Sequence, residues 1–233
     1  MMLDAAGWAA LGLSLKVSTV ATLLSLPVAI WIAWILARKD FVGKAWVSAL
    51  IHLPLVLPPV VTGYLLLIAF GRNGPIGSLL EQLFGITLAF RWTGAALAAA
   101  IMGFPLMVRA IRLAIEAVDP RLEDAAATLG APRWSVFVRV TLPLAFPGVL
   151  AGTVMGFAKA MGEFGATITF VANIPGETQT LPSAIYALLQ IPGQEGPAAQ
   201  LVLWALLISV GAVLASEWIA RRMATRIGAS HGV

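Results

Sequence analysis

The sequence predicts an all-α integral membrane protein with about five transmembrane helices. Of its 233 residues, 60% are hydrophobic and only 11% charged, where a soluble domain is about a quarter charged. Mean hydropathy is +0.92. The apolar residues also fall into runs long enough to cross a hydrocarbon core of about 30 Å. Such a composition leaves no stretch for a soluble catalytic domain. The absence of cysteine excludes disulfides, thiolate metal sites and a cysteine nucleophile, and two histidines, His52 and His231, make no metal cluster. The net charge of +4 would suggest nucleic acid for a soluble chain. In a membrane chain its distribution over the loops is what informs, and no nucleic-acid partner is expected.

Residues 1–9 contain Asp4 and no Lys or Arg, so they lack the basic start of a cleavable signal and the first span is expected to be retained. Between Lys16 and Arg38 lie 21 uncharged residues, which places span one at about 10–37. Lys16 either snorkels to the headgroups or serves as a ligand. Arg38, Lys39 and Lys44 form a short basic loop. Span two, about 45–70, carries His52, Pro54, Pro58 and Pro59, followed by Thr62 and Gly63. Each proline removes a donor and crowds the turn before it. Two readings follow: a helix broken where it lines a pathway, or a simple kink packed on its neighbours. Residues 71–91 are glycine-rich and charged, so they read as a loop with a possible surface helix.

Span three, about 92–116, leaves the membrane through Arg109, Arg112 and Glu116, and Asp119-Pro120 caps a new helix. The segment 119–143 is too charged to cross lipid. Its Leu122, Ala125, Ala126 and Leu129 line one helical face, Gly130 ends that helix, and Pro132 opens a second bearing Trp134, Phe137, Val138 and Thr141. Such a pair is either a knob that enters a groove on a soluble partner or an amphipathic unit lying on the lipid surface. A Leu142-Pro143 break is expected to hand over to span four, about 144–171, which holds Lys159 and Glu163 one turn apart. Residues 181–191 are too short to span and read as a surface or re-entrant helix; span five is about 199–220, followed by Arg221, Arg222 and Arg226. Loops after spans one, three and five hold eleven Lys/Arg, against Arg72 and Arg91 on the other side. The positive-inside rule then puts the N-terminus outside, with the C-terminus and residues 119–143 in the cytoplasm.

The spacing of Asp124-Ala125-Ala126, Gly130, Val140 and Leu142-Pro143 resembles the EAA loop of ABC importer permeases, with Asp124 where Glu is common and Val140 where Ile is common. Residues 52–67, 104–119 and 162–186 are similar to permease subunits of molybdate importers, so the resemblance covers nearly the whole chain. It implies a single type I ABC importer transmembrane domain over 1–233 in the cell inner membrane. A cytoplasmic helix pair would couple to the ATPase through Glu123, Asp124, Ala125, Ala126, Gly130, Val140, Leu142 and Pro143. The implied partners are a second copy of the chain, two ABC ATPase subunits that bind ATP and Mg, and a periplasmic molybdate-binding protein. The chain itself would hold no cofactor. Tungstate, a near-isosteric dianion, would share the route.

A dianion crossing lipid needs weak donors rather than tightly binding cations. Pro58, Pro59, Thr62 and Gly63 of span two, with Thr153, Gly162, Phe164, Gly165, Thr167 and Thr169 of span four, are expected to line that path at the dimer axis. Gly152 and Gly156 read as helix packing. Lys159 and Glu163 are either a gate or inter-subunit contact, or a mutually neutralised structural pair; Glu163 would repel the cargo. Two alternatives stand beside the molybdate importer. One is a sister permease for sulfate or thiosulfate. The other is an intramembrane enzyme, for which no nucleophile–base spacing is present: Lys16 and Ser18 fall on different helix faces. No phosphate-cradling glycine loop occurs, so ATP hydrolysis would belong to another chain.

Overall fold

A computed structural model describes residues 4–229; His231 and the side chains of Arg221, Arg222 and Arg226 lie outside what it describes. The described residues form helices and connecting turns, four of them long and apolar enough to cross a membrane, or five spans when one bent pair is counted.

Helix α1, Ala5–Arg38, starts where the Asp4 carboxylate accepts the Gly7 N–H at 2.7 Å. Lys16 lies along it with Nζ 3.7 Å from the centre of the Trp92 ring, so the cation has an aromatic face as its partner. Helices α2, Lys44–Val56, and α3, Pro59–Phe70, are the two halves of the second span and meet at 113°. The consecutive prolines are the cause. Pro58 and Pro59 remove two successive donors and force Leu57 and Pro58 into extended conformations, ψ 143° and 133°. Pro54, by contrast, is accommodated within α2. A surface helix α4, Pro75–Phe84, closes on Gly85 in the left-handed conformation.

Helix α5, Trp92–Glu116, is the centre of the molecule. Its fully buried Ala95, Ala98 and Ala99 let α1 and the later spans approach closely. Residues 119–136 follow as α6, Pro120–Thr128, capped by Asp119, then Gly130 at φ +85°, then α7, Arg133–Val136. A π turn over Phe137–Thr141 leads into α8, Leu142–Met161. Here the expected Leu142-Pro143 break is corrected: 133–161 is one helical run of 29 residues. The Leu142 N–H bonds to Phe137 O, five residues back, and this wider turn accommodates the missing Pro143 donor.

The single helix expected over 144–171 is two, α8 and α9, Gly165–Val171. Gly162 is a weak helix former, and the Glu163 side chain takes an N–H in the first turn of a new helix, as detailed below. Helix α10, Leu181–Leu189, is tied to α1, the Leu181 N–H donating to Ser14 Oγ at 2.6 Å. The last span, α11, Glu195–Ala229, begins four residues earlier than the pattern indicated. Gly152 and Gly156 do pack: a Cβ on Gly152 would lie 3.1 Å from Met107 O, and one on Gly156 would overlap the Met107 side chain.

Candidate functional site

The two broken spans meet in their second halves. A Cβ on Gly63 of α3 would lie 2.5 Å from Ala166 O and 2.9 Å from Thr169 Cβ of α9, and one on Gly165 would lie 2.6 Å from Pro59 Cβ. At these positions backbone touches backbone, which only glycine permits. The structure thus brings Pro59 and Gly63 of α3 against Gly165, Ala166 and Thr169 of α9, with Thr62 and Thr167 on the same two helices, while Thr153 lies earlier, in the middle of α8.

Within the break, the Glu163 side chain is 1% exposed and doubly engaged. Oε1 accepts the Ala166 N–H at 2.9 Å and Oε2 accepts from Lys159 Nζ at 2.8 Å. One carboxylate therefore caps α9 and closes the ion pair to α8. Phe164, next to it, packs on Tyr186 of α10 with ring centroids 5.1 Å apart, so α10 reaches the break. Thr153, Thr167 and Thr169 spend their hydroxyl protons on Val149 O (2.7 Å), Phe164 O (2.8 Å) and Gly165 O (2.9 Å). A hydroxyl has one proton, so these three present lone pairs to their surroundings. Thr62 differs: it is buried and its hydroxyl, like those of Thr22 and Thr93, has no protein hydrogen-bond partner.

The second constellation is at the basic end of the bundle. Arg38, the last residue of α1, donates through Nε and Nη2 to the Glu123 carboxylate at 3.0–3.1 Å, and through Nη2 to Val118 O at 2.9 Å. Thr141 Oγ1 completes the set by donating to Glu123 Oε1 at 2.8 Å. Glu123 thus faces inward and fixes α6 to span one and to the π turn. The outward face of α6 presents Asp124 and Ala125, with Leu122 half exposed and Leu129 89% exposed; Ala126, Val140 and Leu142 are half-buried, and Gly130 and Pro143 exposed. On the neighbouring turn, the Lys44 ammonium hydrogen-bonds Asp40 and holds its carboxyl below the usual value of 3.8.

Sequence reasoning missed Arg38 and Thr141 as members of this set. Arg38 read as one of three loop cations and Thr141 as a position on an amphipathic face. Nothing in the local pattern joins residues 85 apart; the only signal was an acid at the fourth position of a proline-started helix.

Residues 25–225 match the model of the family described as "Binding-protein-dependent transport system inner membrane component". The chain is 58% identical over 228 residues to the molybdenum transport system permease protein ModB of Escherichia coli (strain K12), covering 98% of this chain and all of that protein. It is 57% identical over 219 residues to ModB of Haemophilus influenzae, covering 94% and 96%. The sulfate transport system permease protein CysT of Escherichia coli (strain K12) is 39% identical, with 68% of this chain and 57% of that protein covered. Among solved structures, a bacterial ABC transporter that imports alginate has a TM-score of 0.75 at 19% identity, over 94% of this chain and 80% of that one. The MetNI methionine ABC transporter has a TM-score of 0.69 at 15% identity, over 95% of each. At those identities the likeness is one of fold: a type I ABC importer permease.

Proposed function

Because the chain belongs to the family of binding-protein-dependent transport system inner membrane components, we propose that it is the permease of an importer that carries molybdate into the cell. The observation that carries this reading is the 58% identity to a molybdenum permease over 98% of the chain. The sulfate relative is matched over only 57% of its length, which ranks sulfate and thiosulfate second.

In this reading two copies of the chain bring their α3–α9 contacts to a shared axis. Two ATPase subunits, holding ATP and Mg, receive the exposed face of α6 around Asp124 and Leu129. A periplasmic binding protein delivers the dianion from the opposite side. The N-terminus is outside and the basic end of the bundle is cytoplasmic, as the excess of Lys and Arg there requires. Glu163 keeps its charge turned toward Lys159 and Ala166. Tungstate, a dianion of the same geometry, travels the same path.

The test is uptake of labelled molybdate by vesicles holding this chain with its ATPase and binding protein. Uptake is expected to need ATP and to compete with tungstate but not with equimolar sulfate. ATP-independent uptake would sink the importer reading, and competition by sulfate alone would promote the sister permease.

A further inference from the structure

Two adjoining cavities at the basic end of the bundle share the walls Trp34, Arg133 and Phe137. The first, of about 410 Å³, is an apolar slot between α1 and the start of the long helical run, walled by Pro27, Ile30, Trp31, Trp34, Trp134 and Phe137. The second, of about 260 Å³, opens from the shared wall toward Arg38, Lys39, Glu123 and Asp124. Glu123 is already taken by Arg38 and Thr141. Lys39 and Arg133 are not: among the described residues neither has a carboxylate within salt-bridge distance, and Lys39 Nζ stands 5.6 Å from the Trp34 ring centre.

We propose that slot and annex together hold one anionic phospholipid, an acyl chain lying in the slot and the phosphate between Lys39 and Arg133. Charge complementarity selects the occupant: the apolar slot opens onto a recess lined by three cations, Arg38, Lys39 and Arg133, against two acids, Glu123 and Asp124, and this positive surplus matches an acyl chain that ends at an anion. Tryptophan is the side chain that lies at headgroup level, apolar ring inward and N–H outward, and this groove has three. Cavities of about 300–1,000 Å³ are the size that binds small amphiphiles, and basic recesses between helices at a membrane surface take anionic headgroups. The bound lipid touches both span one and the start of the helix that carries the coupling segment, so it braces the Arg38–Glu123 junction from the lipid side. This rests on residues 31–39 and 133–137 lying at a membrane interface, as proposed above.

The experiment is native mass spectrometry of the chain with its ATPase, released from nanodiscs of equimolar phosphatidylglycerol and phosphatidylcholine. The wild-type complex is expected to retain phosphatidylglycerol preferentially. Arg133→Gln, at an exposed position, should reduce that preference about fivefold, the effect of one cation near a charged surface. Trp134→Ser, which removes a wall that is 72% exposed and leaves the core alone, should lower retention of both lipids. Arg91→Gln, at the other end of α5, should change neither. Equal retention of the two lipids by wild type, or retention unchanged in Arg133→Gln and Trp134→Ser, overturns the proposal. So does cross-linking of Trp134→Cys to the ATPase or to a second copy within the nanodisc, which would make the slot a protein interface. The readout is lipid, so a failed uptake assay and a failed lipid site are told apart.

Discussion

Two acidic side chains carry most of the junctions in this molecule, and each does so by meeting two demands at once. Glu123 answers both Arg38 and Thr141, with side-chain exposures of 15% and 19% across the ion pair. Hydrogen bonds to charged groups are worth about 1.5–3 kcal/mol, so a double-mutant cycle over Arg38→Met and Glu123→Gln, read by thermal unfolding in detergent, should show coupling of that order. Additivity of the two would mean that the contact is not made. Glu163 allows a finer test. Glu163→Gln keeps an oxygen for the Ala166 N–H, while Glu163→Ala leaves that donor and Lys159 without a partner. The alanine variant should be less stable than the glutamine variant by about 1–3 kcal/mol; equal stability would remove the capping role. A charge swap of Lys159 and Glu163 cannot isolate the ion pair, because a lysine at 163 would put a cation where α9 needs an acceptor. The sequence showed these two charges one turn apart, but the broken helix between them, and hence the second duty of Glu163, depends on tertiary placement.

At the level of elements, the helix pair of residues 119–143 was legible almost to the residue. Asp119-Pro120 starts α6 and Gly130, at φ +85°, ends it, because caps and turns are local chemistry. The bend at Pro58-Pro59 was legible as one of two readings for the same reason: lost donors are written in the sequence. What was not legible is the continuity through Leu142-Pro143. A proline reads as a break unless the turn before it widens, and that π turn is held by Thr141 reaching an acid on another helix. The glycine contacts of α3 and α9 are equally invisible in either helix alone. They predict that Gly63→Val, which would drive a side chain into Ala166 O, costs about 1–3 kcal/mol by overpacking and parts the two half-spans. A spin-label pair across α3 and α9 should then report a longer separation, and an unchanged distance would show that the contact is slack.

For the whole molecule, five crossings, with the bent pair counted as one span, would set the two termini on opposite faces, and the chain's lack of cysteine makes this easy to test. Ala6→Cys should react with a membrane-impermeant maleimide in intact cells and Val42→Cys only after permeabilisation; the opposite pattern would invert the orientation. Charge counting could propose that arrangement because eleven Lys and Arg follow spans one, three and five and only two fall on the other side. It could not foresee that span one is stapled to α6 by Arg38, so that the helix pair has two attachments to the bundle. The π turn between those attachments and Glu163 has a geometric corollary. It stores one residue more than an α-helical turn, and a residue of an α-helix is about 100° of rotation. Releasing that surplus would spin the remainder of α8, and Lys159 with it, by more than a quarter revolution while the stapled end stays still, so the helix works as a gear with a single tooth.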